Sequence, residues 1–183
     1  MKSHLAPLML VAALTAAGAA RAQQLGPNAD GPIDITADEL EVQNKACVSI
    51  WRGRAEALQG DARVRADVLK AIFETKSGGS GSATTGACGD LVRIEAQGSV
   101  YYVSAKDQRV HGDQAVYQAS NDTVTVTGDV VALQGKNVLR GSRMVYNTKS
   151  GEGHMVGNAT GRNAAGRPRG VFYPSKKQEG EGK

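Results

Sequence analysis

The side chains that most often perform catalysis are few in this sequence, and they are not grouped. After the N-terminal segment there are two histidines, His111 and His154, and no motif places a nucleophile beside either one. Both fall in stretches that we expect to form turns, so a solvated turn residue explains each of them better than a general base. Paired catalytic carboxylates stay open as an alternative, although no spacing favours them. We therefore predict that the protein is not an enzyme.

Metal binding requires an arrangement of ligands that this sequence does not contain. Cys47 and Cys88 lack the spacing of zinc ligands, and no cluster of His or Asp accompanies them. A calcium loop places acidic residues and glycines close together, and the sequence has no such loop. We predict that the protein uses neither a metal ion nor another cofactor.

Residues 76–89 are Ser, Gly and Thr with hardly an apolar side chain, and they include the run Gly-Gly-Ser-Gly-Ser. Such a run resembles a phosphate cradle. However, no Lys-Ser or Lys-Thr pair follows it, and no strand-loop-helix pattern surrounds it. We predict that this segment is a flexible surface loop inserted between two strands.

The stretch from Val110 to Tyr146 alternates apolar and polar residues and is rich in β-branched side chains. This pattern predicts β-strands separated by turns. The chain of 183 residues has 23 glycines and only 4% aromatic residues, which favours one domain of many short strands over a dense helical core. The net charge of +4 is too small and too scattered to indicate nucleic-acid binding.

The strands repeat about every 29 residues, except for one longer step that an insertion of about 16 residues explains, and each repeat is a pair of strands. A small residue followed by a polar one recurs at Ala37-Asp38, Ala66-Asp67, Gly112-Asp113 and Gly141-Ser142. A glycine before a strand recurs at Gly53, Gly98, Gly128 and Gly157. The apolar pattern changes phase after each small residue, which predicts a bend or bulge there. We expect Asp residues at these corners to satisfy nearby backbone donors.

The first 22 residues have the features of a secretory signal peptide. Lys2 and His4 precede an apolar run over residues 5–20, and Ala20-Arg21-Ala22 matches a small-residue cleavage site. A membrane anchor is the alternative, but the run is rich in Ala and short for a spanning helix. We predict cleavage after Ala22 and export of the mature chain, with one folded domain over residues 23–174 and a disordered tail over residues 175–183.

The repeat register places Cys47 and Cys88 on the same edge of the predicted fold. Cys47 falls at one turn, and Cys88 falls in the loop that is inserted at the next turn. Because an exported chain meets an oxidising environment, we expect a disulfide between them. The alternative is a pair of free thiols that are too far apart to meet.

The apolar residues of the repeats are the feature from which a function can be inferred. In a stack of paired strands they form two facing walls, which either meet as a closed core or splay apart into a groove suited to acyl chains. The stack would also leave unpaired strands at both ends, which favours edge-to-edge pairing. The candidate groove residues are Ile35, Leu40, Val42, Trp51, Val64, Leu69, Phe73, Val100, Tyr102, Val110, Tyr117, Val124, Val126, Val130, Leu139, Met144 and Tyr146.

Several short motifs, taken in order, resemble the OstA-like family over most of the mature chain. They are Pro32-Ile33-Asp34-Ile35-Thr36-Ala37-Asp38, Gly53-Arg54-Ala55, Val64-Arg65-Ala66-Asp67, Gly112-Asp113-Gln114-Ala115-Val116-Tyr117, Thr127-Gly128-Asp129-Val130 and Val171-Phe172-Tyr173-Pro174-Ser175. The resemblance implies an all-β β-jellyroll or β-solenoid of stacked double strands, with a V-shaped slit for the acyl chains of lipopolysaccharide. It also implies a periplasmic carrier that stacks head to tail with itself and that pairs with LptC-like inner-membrane and LptD-like outer-membrane proteins.

Other classes of protein are alternatives to such a carrier. An LptC-like relative would keep an N-terminal anchor, which the predicted cleavage site argues against. An exported polysaccharide lyase would need a cluster of basic and acidic residues on one strand face, and the sequence shows none. An exported structural or adhesive β-solenoid with a closed core would bind no lipid, and the sequence alone does not separate it from a carrier.

Overall fold

The fold consists of β-strands throughout the part of the chain that the structure describes. This computed structural model describes residues 32–75, 88–104, 108–161 and 165–174. The strands are β1 (Asp34–Thr36), β2 (Glu39–Gln43), β3 (Val48–Gln59), β4 (Ala62–Phe73), β5 (Leu91–Val103), β6 (Gln108–Gln118), β7 (Thr123–Gln134), β8 (Asn137–Asn147), β9 (Gly153–Val156) and β10 (Arg169–Val171), with a 3-10 turn at Asn44–Ala46. The all-β prediction is confirmed. No helix in these ranges is long and apolar enough to cross a membrane.

Three predictions concern residues outside these ranges. They are the signal peptide over residues 1–22, the flexible loop predicted over residues 76–89, of which residues 76–87 lie outside the described ranges, and the disordered tail over residues 175–183. All three stay predictions, and so does the boundary of the folded domain at its N-terminal side.

The strands form one antiparallel sheet that bends into two walls. Each strand from β3 to β8 crosses the bend, so one half of it lies in each wall. The first wall comprises residues 39–43, 48–52, 68–73, 91–97, 114–118, 123–127, 143–147 and 153–156. The second wall comprises residues 34–36, 55–59, 62–65, 100–103, 108–111, 130–134, 137–141 and 169–171.

The bend lies at the small and polar pairs that the sequence repeat marks. The register of strand pairing shifts beside Gly53, Gly98 and Gly128, whose φ angles are +81°, +78° and +108°. A Cβ atom on any of these glycines would overlap the carboxylate of the aspartate that faces it, which is Asp38, Asp67 or Asp113. Only glycine combines this backbone conformation with so close an approach. The predicted bend with irregular pairing is therefore confirmed at each of these corners.

The tightest packing lies in the N-terminal half of the sheet, which we define as β1 to β5. The buried cluster there consists of Ala55, Ala57, Ala66, Leu69, Ala96 and Val100. Four of the six are alanines, and their small side chains allow the two walls to approach each other closely at the bend. Trp51 and Ile35 pack against the cluster from the space between the walls.

One rim of the first wall is held by a disulfide between Cys47 and Cys88. Cys47 immediately precedes β3, and Cys88 lies three residues before β5 begins. Two backbone hydrogen bonds reinforce the same rim: Phe73 N–H donates to the Cys47 carbonyl at 2.9 Å, and Gly89 N–H donates to the Glu74 carbonyl at 2.8 Å. The ends of β3, β4 and β5 are thus joined at this rim.

Both histidines lie in strands, so the prediction that they occupy turns is wrong. His111 is an exposed residue of β6, and His154 is an exposed residue of β9. The turn near Gly151 is shorter than predicted because pairing with β8 begins at Gly153, opposite Tyr146. Tertiary pairing has overridden a local sequence rich in turn formers.

Candidate binding groove

A cavity of about 870 Å³ lies between the two walls and extends along the stack of strands. Every strand from β3 to β9 contributes to its lining, as do Ile35 of β1 and Phe172 just after β10. The cavity is open along one side, where the walls splay apart from the bend, so it is a groove. Side chains that line it are mostly aliphatic or aromatic.

The second wall contributes one unbroken row of side chains. From β1 to β8, each member of the row is paired with the next member on the neighbouring strand. The members are Ile35, Ala57, Val64, Tyr102, Val110, Ala132 and Leu139. All of them line the groove. Partners directly opposite each other project from the same face of a sheet, so pairing alone aligns seven residues from distant parts of the sequence.

The first wall contributes two such rows. One consists of Trp51, Leu69, Ala96, Ala115, Val126, Met144 and Met155, and the other of Ser49, Ala71, Ile94, Tyr117, Val124, Tyr146 and Gly153. Both rows line the groove. Because side chains alternate between the faces of a strand, residues two apart fall in adjacent rows and the residues between them face outward.

The outer faces of the walls are charged, in contrast to the groove. Arg52 contacts Glu41 at 2.7 Å across β3 and β2, and Arg63 contacts Glu56 at 2.7 Å across β4 and β3. The Gln43 amide and then Arg52 donate hydrogen bonds to the Glu41 carboxylate, which lowers the pKa of Glu41. These exposed pairs contribute little to stability, but they keep the outer faces in water.

Two phenol groups are among the polar side chains that line the groove, which also include Lys70, Gln108 and Asn137. Burial, and then the proximity of Tyr146 on the opposite wall, raises the pKa of Tyr102. The Tyr117 hydroxyl donates to Asp122 Oδ1 at 3.4 Å, and burial followed by the Asp122 charge raises the pKa of Tyr117. Both phenols are therefore uncharged at neutral pH. They add hydrogen-bonding capacity to the groove without adding charge.

The structure brings most of the sequence-predicted groove residues together. Fourteen of the seventeen line the cavity, namely Ile35, Trp51, Val64, Leu69, Phe73, Val100, Tyr102, Val110, Tyr117, Val124, Val126, Leu139, Met144 and Tyr146. The other three, Leu40, Val42 and Val130, do not.

Those three residues lie outside the cavity lining for two different reasons. Leu40 and Val42 pair with Trp51 and Ser49, so they face the correct side of the first wall, but β2 is an edge strand beyond the cavity and Leu40 is 43% exposed. Val130 is fully buried at the bend, opposite Gly141. Because Val130 lies where the two walls join, its side chain packs at the bend and is closed off from the groove.

The sequence pattern also missed groove residues. Five alanines line the cavity, namely Ala57, Ala71, Ala96, Ala115 and Ala132, together with Leu91, Met155 and Phe172. An alanine gives a weak hydrophobic signal on its own, but each of these five is a cross-strand partner of a larger groove residue. The repeat register would have identified them, because it fixes which residues pair.

The described ranges contain no candidate metal site, because no group of three or more His, Cys, Asp or Glu side chains is placed there to hold an ion. Cys47 and Cys88 are engaged with each other. The chemistry that the groove offers is the burial of apolar surface.

Comparison with known proteins gives three findings. The sequence profile of the family described as "LptA/(LptD N-terminal domain) LPS transport protein" matches residues 34–152. An uncharacterised protein of Rhizobium meliloti is 32% identical over 151 residues, which cover 82% of this chain and 78% of that protein. The lipopolysaccharide export system protein LptH of Pseudomonas aeruginosa is 25% identical over 182 residues, which cover 94% of this chain and 97% of LptH.

A solved structure shares the fold. The crystal structure of LptH from Pseudomonas aeruginosa, described as the LptA-homologous periplasmic component of a lipopolysaccharide transport device, superposes with a TM-score of 0.60 at 20% identity. The superposition covers 78% of this chain and 96% of that one. The bent antiparallel sheet is thus the LptH-type β-jellyroll.

Proposed function

The chain belongs to the family of LptA and LptD N-terminal-domain lipopolysaccharide transport proteins, and on this premise we propose that it is a periplasmic carrier of lipopolysaccharide. The acyl chains would lie in the groove between the walls, while the sugars and phosphates stay in water along its open side. The proposed role is passive binding and hand-over, without a chemical step.

The length and apolar character of the groove are the observation that most supports this proposal. Three rows of mostly apolar side chains follow the whole stack of strands. Each methylene removed from water contributes about 0.8 kcal/mol, so an acyl chain that buries about ten methylenes gains ~8 kcal/mol before ordering costs. A groove without internal barriers also lets a chain slide, because one apolar contact replaces another as it moves.

The cavity also weighs against the closed-core alternative. An exported structural solenoid would bring its walls together until the inner rows interdigitate at the density of a protein interior. Here the walls meet only near the bend, and the space between them is large enough for an extended ligand.

The two ends of the stack support head-to-tail association. At one end of the stack, β1 is the edge strand of the second wall and β2 is the edge strand of the first wall. At the other end, the edge strands are β10 in the second wall and β9 in the first. Within each wall successive strands alternate in direction, so the β1 edge of a second copy would run antiparallel to β10 of the first. The inner row would then continue from Leu139 through β10 to the partner's Ile35, joining two grooves into one.

Charge favours the same orientation. β1 and β2 contain Asp34, Glu39 and Glu41 and no basic residue, whereas β9 and β10 contain His154 and Arg169 and no acidic one. Arg169 lies directly opposite Arg140 on the outer face, so the basic end is locally repulsive. Docking an acidic edge there relieves this repulsion, and docking a second basic edge increases it.

Neighbouring tyrosines allow a matched test of the groove. Tyr102 faces the groove, whereas Tyr101 pairs with the exposed His111 and Arg65 on the outer face. A photo-crosslinking phenylalanine derivative at each position, followed by incubation with lipopolysaccharide and irradiation, should give a lipid adduct at residue 102 and little at residue 101.

The two positions lie in the same strand and have the same side chain, so a difference between them reports which face the lipid occupies. Equal labelling at both would indicate non-specific adsorption. No adduct at residue 102, in protein with an unchanged circular dichroism spectrum, would favour the structural solenoid and reject the carrier.

A further inference from the structure

The two ends of the groove differ in their side chains. At the C-terminal end, the inner row of the second wall reaches a glycine, Gly170. The inner row of the second wall ends with Leu139 opposite Gly170, so β10 has no side chain where every other strand of that wall has one. The ring of Phe172 occupies this space. A Cβ atom on Gly170 would lie 2.6 Å from Phe172 Cε2 and 3.1 Å from Leu139 Cδ2.

The position of Phe172 follows from local geometry. Phe172 is two residues after Gly170, so it projects from the same face of the wall. Its backbone is held beside β8, because Tyr173 N–H donates to the Asn137 side-chain oxygen at 2.9 Å. The ring folds back over Gly170 and covers an otherwise bare edge of the sheet, an arrangement by which aromatic side chains compensate for strand glycines.

The ring is nevertheless poorly covered. Phe172 lines the groove and yet is 66% exposed, more than any other large hydrophobic residue in the described ranges. At the opposite end the row finishes with half-buried Ile35 and Ile33, which pack against the buried cluster of the N-terminal half. An apolar ring that is fixed at its backbone but exposed on one side is suited to contact a ligand that reaches the end of the groove.

Resting on the carrier function proposed above, we propose that Phe172 is a movable cap of the groove's C-terminal mouth that slows the escape of a bound acyl chain. With the ring over Gly170, the last apolar contact for the chain is Phe172 itself. When the ring turns away, the floor at Gly170 is open and the chain can pass over the edge of β10. Gly170 is required because any larger residue would hold the ring in the open position.

The test is the release rate of a fluorescently labelled lipopolysaccharide from the full mature protein, measured by dilution into unlabelled lipid at a protein concentration where it is monomeric. Phe172→Ala should accelerate release about five- to tenfold, which corresponds to losing part of one buried ring contact. Gly170→Ala should have a similar effect, because its Cβ displaces the ring. The double variant should be no faster than either single variant, since both act on one contact.

Val171→Ala provides the matched control. Val171 is adjacent and partly exposed, but it pairs with Val138 on the outer face and does not line the groove. The rate of lipid release from Val171→Ala should stay within about twofold of the rate for the unsubstituted protein. Circular dichroism and urea midpoints should confirm that each variant keeps its fold.

The outcomes separate the cap from the carrier. An unsubstituted protein that captures no lipid at all would overturn both proposals. Capture with an unchanged release rate in Phe172→Ala would overturn the cap alone. Faster release in Phe172→Ala together with an unchanged rate in Gly170→Ala would also overturn it, because the ring would then act without its position over Gly170.

Discussion

The N-terminal and C-terminal halves of the sheet are built from the same repeat but differ in how the walls meet. Eleven of the thirteen buried apolar residues in the described ranges precede β6, and only Val126 and Val130 follow it. The N-terminal half also contains the disulfide. In the C-terminal half, β6 to β10, inner side chains such as Tyr117, Tyr146 and Met144 stay partly exposed.

The difference shows that one backbone plan packs more closely near one end of the stack than near the other, while the groove follows both halves. Ala57 and Ala66 allow the walls to close near the bend in the N-terminal half. In the C-terminal half fewer side chains are buried, and the apolar inner faces of the walls stay partly exposed. Stability should therefore depend mainly on the N-terminal half, whereas residues of both halves line the groove.

The largest effect should come from opening the disulfide. Replacing Cys47 and Cys88 together by Ser should lower the free energy of unfolding by ~4 kcal/mol, because the bond closes a segment of 41 residues in the unfolded chain. Urea denaturation of the variant should match that of the unsubstituted protein in reductant. If the urea midpoint were unchanged both in the variant and in the reduced protein, the stability of the N-terminal half would not depend on this disulfide.

Two leucines test the contrast between the halves directly. Both line the groove, but Leu69 is buried at 3% exposure in the N-terminal half, whereas Leu139 is partly exposed in the C-terminal half. Leu69→Ala should cost about 3 kcal/mol of stability, and Leu139→Ala about 1 kcal/mol. Both variants should impair lipid capture if they fold, because both leucines line the groove, so the contrast between the halves is measured by stability alone. Equal losses of stability in urea denaturation would contradict the difference in packing between the two halves.

A smaller effect is expected at the basic end of the stack. Arg169→Glu should weaken self-association several-fold in sedimentation velocity, and added salt should weaken association of the unsubstituted protein in the same direction. Lys136→Glu, the same change of charge in the turn between β7 and β8, should have no such effect. Stronger association of Arg169→Glu would show that the acidic edge is not its partner.

The corners and the register could be predicted because they depend on local chemistry. Gly53, Gly98 and Gly128 need a left-handed backbone beside an aspartate, and that requirement leaves a fixed mark in the sequence. The inward face of a strand is likewise determined by alternation once the register is known. Tyr102, Val110 and Leu139, whose apolar character and position predict an inward side chain, line the cavity.

The opening between the walls could not be predicted in the same way. It depends on the summed angles of several corners and on how bulky side chains oppose each other across the bend. Val130 illustrates the limit, because it is apolar and in phase but lies at the bend. Phe172 illustrates another, because its groove position depends on the absent side chain of Gly170. Alternation along one strand does not reveal either relationship.

The alternating direction of the strands also restricts how such a chain can change in length. Each wall, in the ranges that the structure describes, contains an even number of strands, so its first and last strands run in opposite directions. Gain or loss of one whole repeat, a pair of strands, would preserve that relation and leave the ends able to join. Gain of a single strand would make the first and last strands of a wall run in the same direction, so the proposed head-to-tail contact would have to form by the slightly less stable parallel pairing; duplications of whole repeats should therefore be favoured.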